Sequence, residues 1–429
     1  MDYKIGDLIT LECTNLDYEG KGFYKDDNYF YFIDDCLPNE KVICKIRKIK
    51  DKLIFLVIEE FITKNPFRTK DTPNFLGSID FDYVSDEYQS LLCASIIKDQ
   101  LSKMLKQDIT VNESLCDNHT LNYRNKVVFE VLESDTLKLG LYLRNSKKLY
   151  KVNDFCLAPA NINELLVLLN NSNIHIDYKS LKNIVFRTNT KNEILVTLVS
   201  KFEHFKGVKE IVSLLKKNPY IKGITLNISK NSKYILGDTS IILYGENTLE
   251  MNLNDHIIYI NDRSFFQVNF YLIPKVYDKI KSYIKEGSTV IDAYCGSGSI
   301  GFYIASKASS LYLIDENKES IASTIKTYQN NPKLYGNMEI IASDVKDKLQ
   351  NLDADYLIVD PARDGLSNSV IEIILSKKYN NIIYLSCNIV SLSLNLMKLV
   401  SIYDIKEVTP IKLFPNTKSF ECLVLLKLK

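Results

Sequence analysis

The sequence predicts an α/β protein whose C-terminal part is a parallel, doubly wound sheet, preceded by a strand-rich segment and a mixed α+β block. Three observations predict it. First, Ser288-Thr-Val-Ile-Asp-Ala-Tyr-Cys-Gly-Ser-Gly-Ser-Ile-Gly301 opens as an apolar, β-branched run, breaks at three glycines within six residues and resumes with helical patterning. Second, Leu311-Tyr-Leu-Ile-Asp315, Ile340-Ile-Ala-Ser-Asp344 and Tyr356-Leu-Ile-Val-Asp360 each read as an apolar strand ending in an acid. Parallel strands of this kind send such carboxylates to one crevice at their C-terminal ends. Third, residues 1–62 alternate short apolar runs with turn residues.

At 429 residues, 46% hydrophobic and 25% charged, the chain can build several cores, and the length suggests about three domains. The predicted divisions are a small barrel over 1–62, a linker and helix over 63–122, a central α+β domain over 123–260 and a catalytic domain over 264–429. In the first, Leu8-Ile-Thr-Leu-Glu-Cys13, Tyr29-Phe-Tyr-Phe-Ile33, Lys41-Val-Ile-Cys-Lys-Ile46 and Leu53-Ile-Phe-Leu-Val-Ile58 are strands separated by Glu19-Gly-Lys-Gly22 and Asp26-Asp-Asn28 turns. A five-stranded barrel of the OB type packs them economically. Lys41, Lys45, Arg47, Lys48, Lys50 and Lys52 form a basic stretch near Tyr29, Phe30, Tyr31 and Phe32. It reads equally as a single-stranded RNA surface and as a solvated charged hairpin diluted by Asp34 and Asp35.

A polar, proline-containing joint over 65–82 leads to a helix over 87–105. In the central block, helical runs over 162–169 and 208–217 alternate with strands, and Tyr123-Arg-Asn-Lys126 opens it. Ser264-Phe-Phe-Gln-Val-Asn269 then precedes a helix over 272–285 with Pro274 in its first turn. Gln267 and Asn269 both carry a donor and an acceptor for a ligand's polar edge, although Asn269 is equally a helix cap.

The glycine turn lets backbone approach a ligand and presents free helix N–H groups. Asp315 lies where doubly wound folds place the acid that grips ribose hydroxyls. After Asp360-Pro-Ala-Arg-Asp-Gly-Leu366, the strand Ile382-Ile-Tyr-Leu-Ser-Cys-Asn388 delivers Cys387 to the same sheet edge. A lone cysteine is usually structural, but a strand-end loop aligned with Asp360 favours a nucleophile. Glu421 opens a final apolar strand and reads either as a general base or as a solvated strand-edge carboxylate.

Net charge is only +1, so no global basic field announces a nucleic-acid partner. Nine scattered cysteines without a C-x-x-C pair argue for reduced thiols in a cytosol. Asp2, Lys4 and Asp7 interrupt any signal-peptide pattern at the start. The apolar window 381–400 is broken by Ser386, Asn388, Ser391, Ser393 and Asn395, against a membrane span.

Taken together, Tyr123-Arg-Asn-Lys126, Phe266-Gln-Val-Asn269, Asp292-Ala-Tyr-Cys-Gly-Ser-Gly298, Asp360-Pro-Ala-Arg-Asp-Gly-Leu366 and Ser386-Cys-Asn388 resemble the uracil-C5 RNA methyltransferase family, which makes 5-methyluridine in ribosomal or transfer RNA. The resemblance implies a TRAM-like barrel, a Rossmann-like catalytic domain and S-adenosylmethionine as cofactor. It places Gln267, Tyr294, Ser299, Asp315, Asp344 and Asp360 around the methyl-donor and uracil pocket, with Cys387 as nucleophile and Glu421 as base. It further implies a cytoplasmic monomer acting on RNA, with 23S ribosomal RNA the first expectation and transfer RNA the second. No metal is expected. Relatives often hold an iron-sulfur cluster on four cysteines, but here the linker over 65–88 has none, and Cys156, alone near a ligand position, is expected to be a packed thiol. The sequence departs from the family at Ile389, where proline is usual, along Ser391-Leu-Ser-Leu-Asn395, at Asn416 and Ser419 in place of histidines, and at Lys412 in place of an acid. Two rivals remain: a non-catalytic RNA-binding assembly factor, and a cytosine-C5 RNA methyltransferase that uses cysteine similarly.

Overall fold

The computed structural model describes residues 3–230, 234–333 and 335–429. In the N-terminal part, β1 (Leu8–Glu12), β2 (Asn15–Leu16), β3 (Gly22–Lys25), β4 (Phe30–Asp34), β5 (Lys41–Lys50) and β6 (Leu53–Thr63) form one sheet in the order β1-β5-β6-β4-β3-β2. Six strands stand where five were expected. β2 and β3 flank the turn read over 19–22, in residues given no strand, and Phe23 and Tyr24 of β3 pair across from Phe32 and Tyr31 with their aromatic rings packed together.

Helix α1 (Asp86–Leu105) follows, capped by Ser85. Its buried Gln89, Leu92, Cys93, Ile96, Ile97 and Leu101 make one stripe at helical spacing. The apolar members of that stripe share a core with Leu392, Leu396 and Leu399, so the helix closes one face of the C-terminal sheet.

The central sheet has the order β13-β12-β11-β10-β7-β8-β9. Its elements are β7 (Lys126–Val131), β8 (Leu139–Tyr142), β9 (Leu149–Lys151), α2 (Ala160–Asn170), β10 (Leu181–Thr188), β11 (Ile194–Ser200), α3 (Val208–Leu215), β12 (Ile221–Ile228) and β13 (Thr239–Gly245). A hairpin of β14 (Leu249–Leu253) and β15 (His256–Ile260) connects it to the last part of the chain.

That last part runs α4 (Ile273–Tyr283), β16 (Ser288–Ala293), α5 (Ser299–Ile304), β17 (Ala308–Asp315), α6 (Lys318–Asn330), β18 (Met338–Ala342), α7 (Val345–Leu349), β19 (Tyr356–Val359), α8 (Asn368–Lys377), β20 (Asn381–Ser386), α9 (Ile389–Leu399), β21 (Tyr403–Ile411) and β22 (Glu421–Leu428). The strand order is β18-β17-β16-β19-β20-β22-β21. The first five strands are parallel, and β22 runs antiparallel between β20 and β21. Chain direction across the sheet reverses between β16 and β19, the switch point at which such sheets open a ligand crevice. α4 begins with a proline in its first turn and buries Ile273, Val276, Tyr277 and Ile280 on one face.

Gly301 shows how tightly the α5 end of the crevice is packed. A Cβ there would lie 2.2 Å from Leu313 Cδ2 and 3.1 Å from Asp292 Oδ2. Gly301→Ala is therefore expected to destabilise the fold by about 1–3 kcal/mol through overpacking, although alanine ordinarily favours a helix. A thermal melt of the variant checks this, and an unchanged or raised midpoint contradicts it. Among the described residues, no helix is long and apolar enough to cross a membrane.

Candidate active site

A cavity of about 890 Å³ opens at the C-terminal edge of the last sheet, within the size range of small-molecule sites. One wall comes from the turns after β16, β17 and β18. Tyr294 adopts a left-handed backbone (φ 63°), a costly conformation for a bulky residue, and Gly296 (φ 56°) follows it, both facing the cavity. The Gly296 N–H donates to Asp315 Oδ2 at 2.9 Å, and the Asn317 N–H to Asp315 Oδ1 at 2.7 Å. Asp315 is thereby fixed at the end of β17. Asp344 caps α7 through the Lys346 N–H at 3.0 Å and pairs with the Lys346 ammonium at 2.9 Å. Beneath the turn, Asp292 is fully buried and accepts the Gly301 N–H at 2.9 Å. Burial, partly offset by that hydrogen bond, pushes its carboxyl up to about 8.

The opposite wall is built from the ends of β19 and β20 and the start of β22. Gln267 is buried, and its amide donates to Asp360 Oδ2 at 3.3 Å. Cys387 directly follows β20. The antiparallel register ends with Ser386 paired to Cys422; Cys387 follows the one and Glu421 precedes the other, and both line the cavity. Burial first, then the neighbouring Asp360 carboxylate, raises the Glu421 carboxyl well above the carboxylate range. Burial raises Asp360 too, against the Gln267 hydrogen bond. The Cys387 thiol is pushed up by burial, then by Glu421 and Asp360, and is drawn down by Arg363.

These opposing influences give a direct test. Asp360→Asn removes an anion that disfavours the thiolate, so alkylation of Cys387 by iodoacetamide should begin at lower pH. Arg363→Gln removes the stabilising cation and should move it to higher pH. Peptide-resolved mass spectrometry separates Cys387 from Cys116, which is exposed. Opposite or absent shifts would show that neither neighbour's charge reaches the thiol.

Seven of the eight residues singled out in the sequence line this cavity: Gln267, Tyr294, Asp315, Asp344, Asp360, Cys387 and Glu421. Ser299 does not. It begins α5 behind the glycine turn, is buried, and has its hydroxyl paired with the Tyr277 hydroxyl at 2.8 Å. Asn269 acts within the fold, accepting the Tyr271 and Leu272 N–H groups and donating to the Leu413 carbonyl. Glu421 is 4% exposed, so it is no solvated strand-edge carboxylate. Cys156 is half-buried, and burial raises its thiol.

The cavity also uses Arg124, Phe265, Arg363 and Phe414, to which the sequence reading gave no role. For the first three the signal was present, since they stand inside quoted motifs. Phe414 had none.

The departures from the family pattern are accommodated locally. Asn388 caps α9 by accepting the Val390 N–H, leaving Ile389 as a buried first-turn residue in place of a proline. Asn395 Oδ1 accepts the Leu366 N–H at 2.8 Å and the Tyr384 hydroxyl at 2.7 Å, and its amide donates to the Leu366 carbonyl. Ser391 and Asn388 both donate to the Arg363 carbonyl at 2.9 Å. The loop from Asp360 to Leu366 is thus clamped to α9 by neutral hydrogen bonds.

Residues 343–429 match the family described as tRNA (Uracil-5-)-methyltransferase, and residues 278–378 match the methyltransferase small domain. Over 99% of this chain and 99% of its own length, an "Uncharacterized RNA methyltransferase" of Streptococcus mutans is 27% identical. One from Oceanobacillus iheyensis is 29% identical over 99% of this chain and 97% of its own length. In three dimensions the chain is similar to the tRNA (uracil-54, C5)-methyltransferase of Pyrococcus abyssi, solved with S-adenosyl-L-homocysteine. The TM-score is 0.73 at 20% identity, covering 97% of this chain and 100% of that one, a likeness of fold. The C-terminal residues are thus similar to the uracil-5 methyltransferase family, and over nearly its whole length the chain is similar to proteins named as RNA methyltransferases.

Proposed function

We propose that the protein is an S-adenosylmethionine-dependent methyltransferase that converts a uridine of RNA to 5-methyluridine. The observation that carries this reading is the pair Cys387 and Glu421 at one end of a cavity whose other end is a glycine turn and a ribose-type acid. The residues present fit the cofactor. Gly296 presents backbone to the cavity, Asp315 is held in place, and five lining carboxyl groups against three cationic side chains suit a positively charged ligand. Tyr294, Asp315 and Asp344 would hold it. When bound, S-adenosylmethionine supplies an electrophilic methyl group on a sulfonium, which uracil C5 takes up only when made electron-rich.

The chain's own side chains account for that enrichment. Cys387 Sγ adds to uracil C6, forming a C–S bond and moving the C5=C6 electron pair toward C5 and O4. Asp360, held by Gln267, orients the base. Once C5 carries its new substituent, Glu421 takes the original C5 proton. The C5–H electron pair re-forms C5=C6 and expels Cys387 as thiolate. A base in a duplex cannot reach this pair, so the target must leave its stack. The N-terminal sheet suits a single strand, because Lys41, Lys45, Arg47, Lys48 and Lys50 are exposed and Lys48 lies over Phe55, itself stacked on Phe32.

Large-subunit ribosomal RNA is the substrate we favour, on the resemblance and on a near-neutral charge that suits recognition of a splayed loop by shape. Transfer RNA is the second reading, favoured by the description of the matched C-terminal domain. We place the protein in the cytoplasm as a monomer. Transfer of labelled methyl groups to total RNA, followed by nucleoside analysis, tests the reaction. 5-Methyluridine supports it, 5-methylcytidine indicates the cytosine reading, and no label in any RNA supports an assembly factor. Mapping 5-methyluridine in ribosomal and transfer RNA from cells lacking the protein identifies the substrate.

A further inference from the structure

Residues 412–420 join β21 to β22, place Phe414 and Ser419 on the cavity wall and end at Glu421. The segment lies between two strands, so tertiary hydrogen bonds must decide where the carboxyl sits. The buried Lys412 ammonium donates to the Thr417 carbonyl and, at 3.5 Å, to that of Ser419. Asn416 exchanges hydrogen bonds with Gln89 of α1, its N–H donating to Gln89 Oε1 at 2.9 Å, and its amide donates to the Thr120 carbonyl at 2.9 Å.

Lys418 reaches furthest. Its N–H donates to Asp80 Oδ1 at 2.9 Å, and its ammonium lies 3.4 Å from Asp35 Oδ1 at the end of β4. Its methylenes lie against Gly20, where an added Cβ would come within 3.1 Å of Lys418 Cδ.

Asp35 is a fixed point. Arg144 Nη2 binds Asp35 Oδ1 at 2.6 Å, and Arg68 Nη2 donates to the Asp35 carbonyl at 2.7 Å. Arg68 is itself locked by two hydrogen bonds to the buried Glu40, at 2.6 and 2.7 Å. The Lys418 and Asp35 side chains are 14% and 22% exposed, so solvent screens this pair less than a surface one.

We propose that Lys418 is a positioning residue for the Glu421 carboxyl, and that the N-terminal sheet, through Asp35, forms part of the geometry of proton removal as well as part of the RNA surface. The inference rests on the functional reading above. Only Ser419 and Phe420 separate Lys418 from Glu421, so the placement of Lys418 bears directly on that of the carboxyl.

Lys418→Met should lower kcat for RNA methylation roughly tenfold to a hundredfold, the scale set by a misplacement of about 1 Å. The KM for S-adenosylmethionine should stay unchanged, and Lys418→Arg, which keeps the cation, should restore kcat. Asp35→Asn, which also loosens Arg144, should give at least the same fall, and the double variant no further fall than Asp35→Asn alone. A second readout needs no methyl transfer. Glu421 holds the Cys387 thiol up, so a displaced carboxyl should let Cys387 alkylation begin at lower pH in Lys418→Met.

If Lys418→Met fails to fold by thermal melting, Asp35→Asn carries both measurements. A wild-type kcat and an unshifted alkylation profile overturn the inference. So does a loss confined to KM for RNA, which would make Lys418 an RNA contact. Should the wild-type protein methylate no RNA while the alkylation profile still shifts, the positioning stands and the functional reading falls.

Discussion

Cys387→Ala is expected to lower methyl transfer to RNA by roughly 10⁴-fold or more, the scale of losing a nucleophile that acts together with its partners. Uracil C5 is too weakly nucleophilic to take a methyl group unaided, and no other cavity-lining residue offers a thiol. Cofactor affinity should be untouched, because Tyr294, Asp315 and Asp344 lie on the turns after other strands. Equilibrium binding of S-adenosylmethionine beside a labelled-methyl assay reads both at once. A variant that still methylates at a rate near wild type would remove covalent addition from the mechanism.

Glu421→Gln is expected to arrest the reaction at a later point, with turnover reduced roughly 10²- to 10⁴-fold by loss of the general base. The substitution preserves size and removes a charge that burial already disfavours, so the fold should persist. The C5 proton then has no acceptor and the C5=C6 double bond cannot re-form. Cys387 stays bonded to the base. With RNA and cofactor supplied, a protein–RNA adduct should survive denaturing electrophoresis, and it should vanish in the Cys387→Ala, Glu421→Gln double variant. Unbound RNA on the gel together with normal turnover would exclude Glu421 as the base.

The sheet was legible in the sequence because its parallel strands announce themselves as apolar runs, three of them leading to a carboxylate at Asp315, Asp344 or Asp360, and the glycines at 296, 298 and 301 mark the crossing to α5. Six of the eight site residues sit at or just after strand ends on the cavity, where that pattern places them, and Gln267 was visible through its motif. Ser299 was misplaced because composition near a turn does not say which way a helix's first side chain points. Its hydroxyl is turned to Tyr277. β2 and β3 were hidden because aromatic pairing across strands can override the turn tendency of nearby glycines and aspartates. The meeting of Cys387 with Glu421 could not be read from spacing, since α9 and β21 intervene and only the insertion of β22 between β20 and β21 brings them together. The clamps by Asn395 and Lys412 were likewise invisible. Both positions looked like losses, yet each supplies hydrogen bonds to backbone that a differently charged side chain would make by another route.

The pairing of Ser386 with Cys422 also makes the spacing of thiol and carboxyl a whole-number property. Side chains alternate between sheet faces, so sliding β22 by a single residue would turn the acid away from the sulfur entirely. No gradual drift connects a competent arrangement to an incompetent one. Chemical power therefore arrives all at once, when β22 slots between its neighbours, and an intermediate still lacking that strand would present a thiol with nothing opposite to finish the reaction.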